Sequence, residues 1–221
     1  HQYTQGTTDS NETWLDVKAT SDRGVVGRSG GLGPHREVDP WSHFLNVYML
    51  DKEGYRIDRR NPQDIFTPLY NHQINPGAAQ VAHYSFTVPA DATGSLRVEV
   101  KLQYRKFDTI FANYFQGRDW TNGLPFAMTN DLPITTIASD VVVFPIADPP
   151  PSSVTNAPSA IPEWQRWNDY GIGLLLEGDK GSEKGELIQA EQAFREVESL
   201  GRWDGPVNLG RVYFKEGRLD D

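Results

Sequence analysis

The sequence predicts a mainly β protein, an antiparallel β-sandwich followed by an α-helical repeat segment. Three observations carry that expectation. Apolar and polar residues alternate with period two from about Tyr3 to Ala147. A proline-rich stretch then interrupts the pattern, and beyond it the apolar period lengthens to that of a helix. The expected organisation is a sandwich domain over 1–147, a linker over 148–162 and a partial helical repeat over 163–221.

The strands follow in chain order. "TWLDVKAT" sets Leu15, Val17 and Ala19 on one face against Trp14, Asp16 and Lys18 on the other. "HFLNVYML" leads into the turn "DKEG". "AQVAHYSFTVP" alternates Val81, His83, Ser85 and Thr87 with Ala82, Tyr84, Phe86 and Val88. "GSLRVEVKLQYRKF" sets Leu96, Val98, Val100, Leu102 and Tyr104 against Arg97, Glu99, Lys101, Gln103 and Arg105, and "SDVVVFPIA" closes the set. Such alternation between Gly, Pro and Asn turns marks half-buried antiparallel strands, and strands at this spacing suggest a sandwich. "DTIFANYFQG" reads as a short helix or an irregular crossover.

"PIADPPPSSVTNAPSAIP" is expected to be extended, because proline fixes φ and blocks both helix and ladder bonding. After it, Trp167, Tyr170, Gly171 and Leu174 occupy the positions of the W-x2-L-G-x2-Y pattern of a tetratricopeptide repeat. Ala190 and Phe194 supply the A-x3-F of its second helix, in one stripe with Leu187 and Val197. Leu209, Gly210 and Tyr213 restart the pattern, with Pro206 in the place of the Trp. Gly171 and Gly210 stand 39 residues apart, against about 34 in a standard repeat. The insert "DKGSEKG" accounts for the excess, and both glycines are expected at close helix–helix contacts.

Charge and composition narrow the function. The net charge of −9 argues against nucleic acid and anionic membrane surfaces, since both require a basic face. The longest basic cluster is "DRR" at Asp58–Arg60, so proteins or neutral ligands are the expected partners. There is no cysteine, which removes disulfides, thiolate catalysis and C-x-x-C-H haem attachment from this chain. No apolar run reaches about 18 residues, so no membrane span is expected. The chain opens at His1 without Met and closes on "LDD", and is expected to be a processed or partial segment.

No catalytic signature emerges. His1, His35, His43, His72 and His83 stand in none of the H-x-x-x-H or H-E-x-x-H spacings of a zinc site. "GRSGGLGPHREVDP" is glycine-rich, yet it forms neither G-x-G-x-x-G nor a P-loop and reads as a loop. "DKEG" lacks the acidic ladder of an EF-hand and reads as a hairpin turn.

The segments "HQYTQG", "DPWSHF", "DRRNPQDIFTPLYNHQINPGAAQVAHY", "KLQYRKF", "NDLPI" and "WNDYGIGLLLEGD", in that order, resemble the C-terminal part of large bacterial multihaem c-type cytochromes that carry tetratricopeptide repeats. These are related to the cytochrome c554 and hydroxylamine-oxidoreductase-like proteins, and the resemblance covers nearly the whole chain. It implies haems bound upstream of, or beside, a β-rich segment and helical repeats. This chain departs from the family in having no C-x-x-C-H. His1, in "HQYTQG", matches the family's H-x-F/Y context for a distal axial ligand, which makes it the candidate haem-iron ligand.

The functional expectation is a docking and assembly module of a periplasmic or extracellular electron-transfer cytochrome, not catalytic by itself. Haem c would be held by an upstream segment or a partner chain. Its partners would be other protein chains or that haem domain, with a homo-oligomer or filament as an assembly form. The alternative is a haem-free cell-surface binding or filament-assembly protein, and an enzyme with Asp or Glu in a sandwich cleft ranks third.

Overall fold

A computed structural model describes residues 2–4, 6, 9–116, 128–146, 156–178 and 184–220. Its contacts divide the chain into two compact units, one of Thr4–Gln73 and Tyr84–Asn156, the other of His1–Tyr3, Ile74–His83 and Ala157–Asp221.

The larger unit is built on a four-stranded antiparallel sheet of order β2-β1-β5-β6. β1 (Glu12–Ser21) and β5 (Ser95–Arg105) are its centre, paired from Glu12 opposite Arg105 to Thr20 opposite Arg97. β2 (Gly24–Ser29) returns from β1 through a tight turn, with a bulge at Ala19/Thr20. β6 (Thr135–Pro145) forms the other edge, paired with β5 from Ser95 opposite Pro145 to Tyr104 opposite Thr135. Alternating β-branched residues make these long strands stable once one face is covered. Val17, Ala19 and Leu96 are buried, as the alternation predicts.

Trp14 has the opposite parity and is nevertheless 1 % exposed. Where β2 ends, residues 43–45 take its place beside β1, with Leu15 N–H donating to His43 O (3.0 Å) and Leu45 N–H to Thr13 O (2.9 Å). The Trp14 indole is buried with its Nε1 donating to Gly30 O at 3.1 Å. A second, two-stranded sheet pairs β3 (Val47–Leu50) with β4 (Thr67–Asn71). The crossover after β5 is α1 (Thr109–Phe115), capped by Asp108, whose Oδ1 accepts from Phe111 N–H at 2.6 Å.

The smaller unit holds α2 (Glu163–Gly178), α3 (Lys184–Ser199) and α4 (Asp204–Glu216) around Leu174, Leu187, Ala190, Phe194, Val197, Leu209 and Val212. Val81, on the extended segment of this unit, packs against the same cluster, its Cγ2 lying 2.6 Å from where a Cβ on Gly173 would stand. α4 ends at Gly217, whose φ of 74° lets Arg218 N–H reach back to Tyr213 O at 2.9 Å.

The fold class therefore needs correction. The protein is 28 % helical and 28 % strand, a mixed α and β fold and not a mainly β one. Among the described residues no sandwich forms, because the second sheet has two strands only and "AQVAHYSFTVP" runs without ladder partners. Nor do the helices form a tetratricopeptide-type repeat. At Gly171 an added Cβ would stand 2.6 Å from Phe194 Cε1, whereas one at Gly210 would meet nothing within 4 Å. Two glycines at matching pattern positions thus do different work, and α2–α4 share one core without repeating a unit. Of the expected extended linker, residues 148–155 lie outside the described residues, and Asn156–Pro162 carry neither helix nor strand.

These contacts set opposite expectations for two substitutions. Gly171→Ala should destabilise the protein by about 1–3 kcal/mol through overpacking against Phe194. Gly210→Ala should be neutral or stabilising by up to about 1 kcal/mol, since only the helical entropy cost of glycine is removed. Thermal melts of both variants against the parent check this; equal shifts in the same direction would contradict it.

Candidate functional site

A cleft within the larger unit encloses about 520 Å³. Its walls come from the start of β1 (Glu12), the 37–48 loop with Phe44 and Asn46, the second sheet (Tyr48, Tyr70) and the start of α1 (Asp108, Ile110), with Arg56 reaching in. Behind the Glu12 and Thr109 walls, Arg105, the last residue of β5, is turned inward. Arg105 is 0 % exposed and its Nε donates to Glu12 Oε2 at 2.9 Å, while Nη2 also meets that oxygen. Nη1 donates to Arg36 O at 2.7 Å, and Nη2 to Thr109 Oγ1 at 3.3 Å. Arg36 presents that carbonyl from a left-handed backbone, φ 60°, which a non-glycine residue holds only when its surroundings enforce it. One guanidinium thus ties together β1, the loop and the helix.

Two carboxyls line the cleft with raised affinity for protons. Burial pushes Glu12 up to about 7, with Arg105 opposing and Asp108 adding to the rise. Burial likewise pushes Asp108 up to about 6, with Arg56 opposing. Arg56 Nη2 lies 3.5 Å from Asp108 Oδ2 and its guanidinium covers the Tyr48 ring at 4.9 Å. Burial also raises the Tyr70 phenol, again against Arg56. Asn46 is 4 % exposed, and its Oδ1 accepts no hydrogen bond among the described residues.

From the cleft a file of rings runs across the second sheet. Tyr48 stands directly opposite Tyr70, with centroids 5.4 Å apart; Tyr70 stacks on His72 at 4.4 Å and His72 on His43 at 4.9 Å. His72 Nδ1 is 3.1 Å from Phe44 O, which fixes the ring beside the cleft wall.

Asp108 spends one oxygen on the α1 cap and faces Arg56 with the other, and Glu12 is bonded through one oxygen, Oε2, to two guanidinium nitrogens of Arg105. A general acid or base needs an oxygen within reach of the substrate's proton. His1, the candidate haem ligand, lies outside the described residues. Among the other histidines, His43 and His72 come together in the ring file, whereas His35 and His83 stand apart from it, His83 exposed. Among the described residues, no three His, Cys, Asp or Glu side chains gather as a metal site. No helix among them is long and apolar enough to cross a membrane. No family model, curated protein or solved structure matches the chain.

Sequence reasoning missed Glu12, Arg56, Arg105 and Asp108 because each sits at the parity or turn position of a solvated charge. A cap signal did exist in "DTIF", where Asp108 precedes a short apolar helix.

Both raised carboxyls bind protons more tightly in the folded protein than in the unfolded chain. Their contribution to stability is therefore complete below the ordinary values of 4.5 and 3.8, and is lost as pH rises through about 7 and about 6. Unfolding midpoints should fall across that window, and Glu12→Gln, which cannot titrate, should flatten the fall. An unchanged pH slope in Glu12→Gln would refute the assignment of the proton to Glu12.

Proposed function

We propose that the chain is a non-catalytic docking module of an extracytoplasmic multihaem c-type cytochrome. The ordered run of six segments from "HQYTQG" to "WNDYGIGLLLEGD" carries this reading. The engagement of Glu12 and Asp108 in holding the fold supports the non-catalytic half of it. Without cysteine the chain cannot attach haem c through C-x-x-C-H, so in this reading haem belongs to an upstream segment or a partner chain. His1 would lend that haem an imidazole as a distal ligand.

A second reading, a haem-free cell-surface binding protein, is favoured by the cleft itself. The Asn46 Oδ1 without a donor, the Tyr48 and Tyr70 rings and Arg56 would suit a small polar ligand.

An intact mass and a visible absorption spectrum of the native material distinguish the two. The first reading expects a mass above that of this chain, with c-type haem absorbance that His1→Ala alters at one haem. A native mass equal to this chain's 24.8 kDa, with no haem absorbance, overturns it in favour of the second.

A further inference from the structure

β6 is an edge strand of 11 residues with one charge, Asp140, and its first six residues, Thr135 to Asp140, are exposed. Among the described residues it pairs with β5 on one side only. Natural edges are usually blunted by lysine, proline or covering segments, because their free N–H and C=O groups template pairing with another chain. Here the outward row is occupied in an unusual way. The side-chain amide of Asn156 faces Val143, its Oδ1 accepting from Val143 N–H at 2.7 Å and its Nδ2 donating to Val143 O at 3.1 Å. That is the pair of bonds a peptide of a neighbouring antiparallel strand makes. Two residues along, Val141 N–H is taken by the carboxylate of Asp140 at 2.7 Å.

We infer that the outer edge of β6 pairs antiparallel with β6 of a second copy, and that Asn156 is the latch that holds this edge closed. The strand is compatible with itself. With Val141 opposite Val141, Val143 meets Ser139 and Asp140 meets Val142, so no like charges face each other. The outward groups of Val143, Val141 and Ser139 then form a ladder, because residues of one parity point outward together. The pairing is two-fold and closed, joining the two sheets into one of eight strands, twice the four of each copy. Opening the latch exchanges two side-chain bonds at Val143 for two main-chain ones, so the edge becomes available without disturbing the β5 ladder.

Sedimentation of the full chain over a range of concentrations tests the inference. Asn156→Ala removes the competitor from both copies, and the dimer dissociation constant should fall by about thirtyfold, the effect of one net hydrogen bond for each of the two latches. In the Asn156→Ala background, Val141→Lys should return the protein to monomer. In the monomer the new lysine faces Glu99, whereas in the dimer it faces its own copy. Ser139→Pro, which removes an outward N–H, should do the same, with hydrogen exchange along β5 confirming that the sheet is intact. An Asn156→Ala variant no more dimeric than the parent overturns the inference. So does a dimer that survives both blocking substitutions.

Discussion

The larger unit depends on one buried cation. Arg105 ends the central strand with no exposure, and its guanidinium is shared among the Glu12 carboxylate, the Arg36 carbonyl and the Thr109 hydroxyl. Arginine stays charged in any protein interior, so its partners must come to it. Each partner belongs to a different segment. Binding Glu12 sets the register of β1 against β5, where the two residues stand opposite each other. Accepting from Nη1 holds the Arg36 carbonyl in place, and meeting Thr109 seats the first turn of α1.

The cleft lies against that arrangement, with Glu12 and Thr109 in its walls. Drawing Glu12 and Asp108 inward to serve Arg105, Arg56 and the α1 cap takes both carboxyls out of water, which pushes Glu12 up to about 7 and Asp108 up to about 6. Arg60 makes a similar contact outside the cleft. It sits at φ 56°, donates to Ser10 Oγ at 3.0 Å and covers the rings of Phe107 and Phe111.

The sequence carried the strands better than the layers. Alternation located β1, β5 and β6, because a two-residue period with one covered face is a local property. It put Arg105 and Gln103 with the solvent-facing set, yet both are buried, since a loop distant in sequence covers the second face at that end. Coverage of this kind is a tertiary property that no local pattern holds. The helical period of α2–α4 was equally legible, but the repeat was not. Gly171 and Gly210 look alike in sequence, and only the presence of Phe194 beside the first tells them apart. Of the site, the Asp108 cap left a trace in the sequence, while the meeting of Glu12 with Arg105, 93 residues apart, left none.

The larger unit is held together by carboxyls engaged with guanidinium and backbone groups. That view rests on Glu12 being a structural counter-ion. The direct test is a double-mutant cycle by urea unfolding at about pH 8, where the carboxyl is ionised, on Glu12→Leu, Arg105→Met and their combination. The account predicts that each single change costs about 3–5 kcal/mol by stranding a buried charge, and that the double variant recovers most of the loss. Additive costs in the double variant would contradict it.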